Sequence, residues 1–192
     1  MRELALRVVA VWSIFMSGCA ITPLHSSIKL GIKLYEAPDI IFEVDHWYAV
    51  LKPNQALLGS AIIRLKRVED EFGELTEEEM IELRNTIKLM ERAAKNGFGA
   101  SHINWSCLMN YGYRFQPFPV ALVHVHFRPR YTKKKVQFAG LEFYDDYPAR
   151  HYKLHTMRRV PGSVRKEIIR VYQREIMLQA AGNHGLQITF SK

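Results

Sequence analysis

The spacing of apolar and polar positions changes several times along this chain, and each change marks an element. Ile40-Ile41-Phe42-Glu43-Val44 and Trp47-Tyr48-Ala49-Val50-Leu51 are short aromatic and β-branched runs split by the polar pair Asp45-His46, a strand–turn–strand pattern. Pro53-Asn54-Gln55 breaks the chain, and Ser60 to Leu65 predicts a third strand. From Thr76 the period lengthens. Met80, Leu83, Ile87, Met90 and Ala94 recur at steps of three and four, which places them on one stripe of a helix. Thr76 and Glu79 form a capping box at its start, three acids in the first turn suit the helix dipole, and Asn96-Gly97 stops it. Pro161-Gly162 announces a last helix from about Ser163 to Ala181, closed by Gly182. Between the helices lie His102 to Met109, a loop rich in Tyr, Phe and Pro, and Val120 to Phe127. There is no internal repeat and no low-complexity tract. Strands, helix, strands, helix predict an α+β fold with an antiparallel sheet.

Length and charge narrow this picture. The 192 residues suit one domain with tails, and 48% apolar with 24% charged residues is the balance of a globular protein. Lys and Arg number 27 against 19 acids, a net +8 that favours anionic partners. Two cysteines, Cys19 and Cys107, cannot form a disulfide framework. No apolar run approaches the ~18–20 residues of a membrane span.

The chain divides into residues 1–35, 36–160 and 161–192. The first segment has Arg2 and Arg7, an apolar run from Val8 to Met16, and then Ser17-Gly18-Cys19, the parts of a bacterial secretion signal ending in a lipobox-like cysteine. Glu3 in the basic region and Met16 three residues before the cysteine fit that pattern poorly, and an overextended N-terminus starting truly at Met16 is the alternative. Residues 20–35 read as a tether. The expected location is therefore cytoplasmic, or lipid-anchored through Cys19, with membrane contact only in the second case.

Val120 to Arg128 carries the chemistry. On a strand, Ala121, Val123, Val125 and Phe127 share a core face, while Val120, Leu122, His124, His126 and Arg128 share the other. Two imidazoles roughly 6–7 Å apart along a strand allow one His to attack an electrophile while the second serves the leaving group. The adjacent guanidinium suits phosphate. Phosphoryl or nucleotidyl chemistry follows, against two alternatives. One is a pair of solvated strand histidines. The other is a metal site, with His151 and His155 adding an i, i+4 pair, although no carboxylate stands at a matching spacing.

The run His124-Val125-His126-Phe127-Arg128-Pro129-Arg130-Tyr131 resembles the signature of the histidine triad superfamily, His-x-His-x-His followed by two residues and often Pro-Arg-Tyr. Anchored on Pro129-Arg130-Tyr131, His124 falls on the middle, nucleophilic His, His126 on the last, and Leu122 replaces the first. The likeness extends over about residues 36–160. It includes Leu51-Lys52-Pro53-Asn54-Gln55, Leu58-Gly59-Ser60, Leu75-Thr76-Glu77-Glu78-Glu79, Asn104-Trp105-Ser106-Cys107-Leu108-Met109-Asn110 and Phe138-Ala139-Gly140.

The resemblance implies a five-stranded antiparallel sheet with one central helix and a C-terminal helix, usually in a homodimer. It implies a metal-independent nucleotide hydrolase or nucleotidyltransferase that needs no cofactor and acts on dinucleoside polyphosphates or nucleoside phosphoramidates. His124 would form a nucleotidyl-histidine, His126 would contact the phosphate and leaving group, and Asn110 would contact phosphate. Two departures qualify it. The family's first triad His and the His after the third-strand Gly that it hydrogen-bonds are replaced by Leu122 and Ser60, and Lys52, with Arg128 a candidate substrate- and phosphate-binding residue, stands where the family has a ribose-contacting acid or amide. A catalytically weak nucleotide- or polyphosphate-binding module is therefore the alternative.

Further residues carry two readings each. Arg128 faces the phosphate or pairs with an acid, and Lys133-Lys134-Lys135 attracts polyphosphate or is a solvated run. Trp47, Trp105, Tyr111 and Tyr113 stack a base or fill the core. Cys107 reads as an inert core thiol and Asp145-Asp146 as a surface turn. His102 matches no motif. No groove-reading motif supports nucleic-acid binding.

Overall fold

The computed structural model describes residues 39–109, 123–133, 135–150, 156–180 and 187–190. Residues 1–35 with Cys19, Asn110, Tyr111, Tyr113, Leu122, Lys134, His151, His155 and Gly182 lie outside the described residues. Among the described residues no helix is long and apolar enough to cross a membrane.

Five strands form one antiparallel sheet: β1 (Ile40–Glu43), β2 (Trp47–Leu51), β3 (Ala61–Leu65), β4 (His102–Ser106) and β5 (His124–Arg130). Their order is β1-β2-β3-β5-β4, so the His-bearing strand sits between β3 and β4. A separate hairpin, β6 (Lys135–Phe138) and β7 (Leu141–Tyr144), turns through Ala139 and Gly140, both at positive φ. The sequence pattern did not predict this hairpin as two strands. Lys135, expected in a solvated run, opens β6, sits 3.6 Å from Glu142 across the hairpin and lies over the Tyr144 ring.

Alternation sorts the sheet into two faces. Trp47, Ala49, Leu51, Ala61, Ile63, Leu65, Val125 and Phe127 are buried on one of them. Helix α1 (Glu77–Phe98) and helix α2 (Gly162–Ala180) cover that face and pack on each other. The capping box is present in full: Glu79 N–H donates to the Thr76 hydroxyl and Thr76 N–H donates to the Glu79 carboxylate.

The helix stripe differs at its start from the apolar reading. Met80 is exposed, while Glu79 and Glu82 are buried. Their carboxylates are used structurally. Glu82 accepts from Asp45 N–H, His46 N–H and the His46 ring, tying the β1–β2 turn to α1. Glu79 holds the Arg67 guanidinium. The helix also runs past Asn96-Gly97 to Phe98 and stops at Gly99, whose φ of 71° is the left-handed cap that a glycine adopts without strain. Residues near the C-terminus return to the sheet edge, where Thr189 and Glu43 exchange two backbone hydrogen bonds.

The loop joining β2 to β3 is held rigidly. Gln55 is fully buried, donating to the carbonyls of Lys52 and Ser60 and accepting from Gly59 N–H. Gly59 has φ +79°, and the Tyr172 hydroxyl donates to its carbonyl at 2.6 Å. A Cβ at Gly59 would lie 2.7 Å from that hydroxyl. Gly59→Ala is therefore expected to cost about 1–3 kcal/mol through backbone strain and a clash the buried Tyr172 cannot relieve. Urea unfolding of the two proteins checks this, and an unchanged midpoint would contradict it.

Candidate active site

The sheet face away from the helices carries the polar residues, and the strand register sets them in rows. Tyr48 on β2, Arg64 on β3 and His124 on β5 stand opposite one another. In the next row Val50 and Ile62 lead to His126, with Ser106 of β4 on its other side. Arg128 follows opposite Asn104, and Arg130 opposite His102. The β period of two thus puts His124, His126, Arg128 and Arg130 on one face.

The two imidazoles meet edge to face, with ring centroids 4.9 Å apart. His124 is buried and His126 partly so. His126 Nδ1 is buried with no hydrogen-bond partner among the described residues. Burial, followed by the charges of Lys52 and Arg128 and then His124, pushes the His126 pKa down to about 3. The ring is therefore neutral near pH 7 and keeps an unprotonated nitrogen.

The folded-state value lies below the ordinary 6.5, so the unfolded chain takes up the proton first. The stability contributed by neutral His126 is complete above about 6.5 and is lost as pH falls from there toward about 3. His126→Leu is expected to flatten the acid limb of a stability–pH curve. An unchanged limb in guanidinium titrations across that range would contradict the assignment.

Lys52 and Arg128 sit together beside the histidines. Burial and the Arg128 charge pull the Lys52 ammonium down to about 8. Arg128 is buried and donates to the Ser106 hydroxyl at 2.7 Å. Both cations line a cleft of about 150 Å³ whose other walls include Ser60, Tyr144, Asp145 and Tyr147. The Ser60 hydroxyl donates to the Leu57 carbonyl at 2.8 Å.

Beneath the cleft, Arg130 is almost completely buried and uses its whole guanidinium. Nε and one terminal nitrogen grip the two oxygens of Asp145 at 2.8 and 2.9 Å. The remaining donors reach the Asn104 side chain and the carbonyls of Arg150 and Tyr147. Tyr131 N–H also donates to Asp145, and the Tyr131 hydroxyl donates to the Leu58 carbonyl. Asp145, expected at a surface turn, is instead a buried carboxylate, because the Arg130 fork supplies the charge it needs.

Of the residues singled out in the sequence, the structure brings His124, His126, Arg128 and Lys52 together. Trp47 is core, donating to the Glu79 carbonyl, and Trp105 packs on Phe127 and donates to Glu91, so neither faces the site. Cys107 is exposed rather than a core thiol, because β4 ends one residue before it. His102 contacts the Ser101 hydroxyl. Arg64, which the sequence reading passed over, is a buried cation beside His124, with its guanidinium 5.8 Å from the Tyr48 ring centre. Its signal was a single charge inside the apolar run Ala61 to Leu65. Among the described residues no group of three or more His, Cys, Asp or Glu side chains could hold a metal ion.

No protein-family model matches the sequence, and no curated protein matches it. Solved structures do. A histidine triad protein from Marinobacter aquaeolei VT8 aligns with a TM-score of 0.58 over 78% of this chain and 94% of that one, at 13% identity. A zinc-bound histidine triad family protein from Mycobacterium smegmatis gives 0.52 over 83% and 96%, at 20% identity. The chain has the histidine triad fold. A third similar structure, a Plasmodium falciparum diadenosine triphosphate hydrolase in complex with cyclomarin A, aligns at 0.50 over 75% of this chain and 80% of that one, with 14% identity. The expected architecture is thus met in this histidine triad fold: five antiparallel strands, a helix between β3 and β4, and a C-terminal helix.

Proposed function

We propose that this chain is a nucleotide hydrolase or nucleotidyltransferase of the histidine triad kind, cleaving a phosphoanhydride or phosphoramidate bond through a nucleotidyl-His124 intermediate. The observation that carries the reading is the imidazole pair on β5 flanked by Lys52 and Arg128. Two clustered cations attract a phosphate, and neutral imidazole is the form that attacks phosphorus. A lone pair of the His124 ring forms the P–N bond while the bond from phosphorus to the leaving group breaks. Water then cleaves the P–N bond, releasing the nucleoside monophosphate and the free ring. His126 Nδ1 is buried, so Nε2 is the nitrogen left to meet the phosphate. Asn110 is the further phosphate contact proposed from the motif.

A binding module without useful turnover is the second reading. It is favoured by Ser60, whose hydroxyl is spent on the Leu57 carbonyl rather than on an imidazole.

The test is incubation of the protein with diadenosine polyphosphates and an adenosine phosphoramidate, with and without chelator, following products by chromatography. Chelator-resistant release of a nucleoside monophosphate supports the hydrolase. Nucleotide-induced thermal stabilisation without product supports the binding module, and activity abolished by chelator contradicts the metal-independent mechanism.

A further inference from the structure

The two helices carry a surface that the proposed reaction does not use. On α1 the exposed positions Ile81, Arg84, Lys88, Arg92 and Lys95 recur at steps of three and four, so they share one outward stripe. On α2, Lys166, Arg170 and Arg174, followed by Met177, do the same. The helices pack on each other and run antiparallel: a Cβ at Gly97 would meet Val171 and Glu175, while Gln179 donates to the Leu89 carbonyl at 3.4 Å. Arg92 and Lys95 therefore stand level with Arg174 and Met177. The two stripes make one cationic strip, on the side of the sheet away from His124 and His126.

The acids nearby do not cancel this charge. Glu167 is paired with Arg170 and Glu175 with Arg174, Glu91 accepts from the Trp105 ring, and Glu77 and Glu78 stand at the far end of α1. Among the described residues, Lys88, Arg92, Lys95 and Lys166 are in no ion pair. Large apolar side chains accompany the cations, with Ile81 60%, Met177 50% and Leu178 68% exposed. The aromatic residues of the two helices, Phe98 and Tyr172, are both buried, so the strip offers no ring on which a nucleic-acid base could stack. Cations interleaved with exposed aliphatic side chains instead match anionic headgroups lying over an apolar layer. The chain also enters the domain on this side. Asp39, the first described residue, is gripped by Arg165 in the first turn of α2, next to Lys166. Cys19 precedes it by twenty residues, a reach of roughly 70 Å when extended.

We propose that the outward face of α1 and α2 docks the protein on an anionic phospholipid bilayer, with its Lys and Arg side chains among the headgroups and Ile81, Met177 and Leu178 at the apolar boundary. In this pose the histidine-bearing face of the sheet looks away from the membrane, and the cleft stays open to solvent. The attraction is electrostatic in the first place, so it weakens as salt screens it. Docking needs no lipid at Cys19, and a lipid there would be a second attachment within reach of the same surface.

The experiment is co-sedimentation of the full chain with vesicles of mixed phosphatidylglycerol and phosphatidylcholine, and with vesicles of phosphatidylcholine alone, at low and high salt. The expected result is binding to the anionic vesicles only, lost at high salt. The double variant Lys88→Gln with Arg92→Gln should bind them at least roughly tenfold more weakly. Lys66→Gln with Lys133→Gln, which removes the same net charge from exposed positions outside the two helices, should lose far less. Lys88→Arg with Arg92→Lys should bind as the wild type does. All these positions are exposed, and Lys95→Gln with Lys166→Gln repeats the test should the first pair not fold. Equal binding to neutral and anionic vesicles overturns the proposal and assigns membrane contact to an apolar segment. An equal loss in the two charge-removing variants overturns it too, because net charge and not this face is then responsible. So does a single-stranded RNA that strips the wild type from the vesicles at equal phosphate concentration, which gives the face to nucleic acid.

Discussion

Replacing Arg130 with methionine is expected to lower the unfolding free energy by about 3–5 kcal/mol, the usual cost of stranding one partner of a buried ion pair. Arg130 is 1% exposed and its five N–H donors meet five acceptors, so methionine can fill the volume but satisfies none of them. The consequence falls mainly on Asp145. Burial alone would push its carboxyl up, and the Arg130 fork with Tyr131 N–H outweighs burial and holds it below its ordinary value. A depressed carboxylate contributes stability above its unfolded-state value, near 3.8, which is lost as pH falls through the folded-state value. In Arg130→Met that contribution reverses, because Asp145 must then either stay ionised without a partner or take up a proton. Chemical denaturation at neutral pH measures the loss, and a value below about 1 kcal/mol would mean that solvent reaches the pair. The double change Arg130→Met with Asp145→Leu should recover much of it, since no buried charge is then stranded.

The same pair marks where the sequence was readable and where it was not. Strand alternation placed His124, His126 and Arg128 on one face and Val125 and Phe127 on the other, because period two is a property of the backbone alone. The capping box was legible for a similar reason, since Thr76 and Glu79 lie three residues apart and need nothing from the rest of the fold. Asp145 was not legible. Its burial depends on Arg130, and that partner becomes visible only once β5 and the segment after β7 are brought together. Met80 failed for the converse reason: helical spacing assigns it to the stripe, but Glu79 and Glu82 take the inward positions because Arg67, His46 and three backbone N–H groups wait for them. Arg64 and Lys52 follow the same rule. Composition showed the excess of cations, while their gathering around two histidines is a product of sheet order.

His124→Ala is expected to reduce nucleotide cleavage by about 10⁴-fold or more, the scale on which removing a nucleophile acts, while nucleotide binding survives. The groups proposed to bind phosphate, Lys52 and Arg128, belong to other positions and keep their supports from Gln55 and Ser106. His126→Ala should slow the reaction less, by about 10²–10⁴-fold, because a group that assists the leaving side is partly replaced by water. Its low pKa gives the two roles distinct pH signatures. Neutral His126 persists down to about 3, so loss of rate between pH 7 and 5 in the wild type reports a group other than His126. If His124 is the nucleophile, His124→Ala loses its activity across the whole pH range, whereas His126→Ala keeps part of it. Steady-state rates of the three proteins from pH 4 to 9 decide between the assignments. A His124→Ala protein that cleaves at the wild-type rate removes the covalent mechanism, and a His126→Ala protein as inactive as His124→Ala transfers the nucleophile's role into question between the two rings.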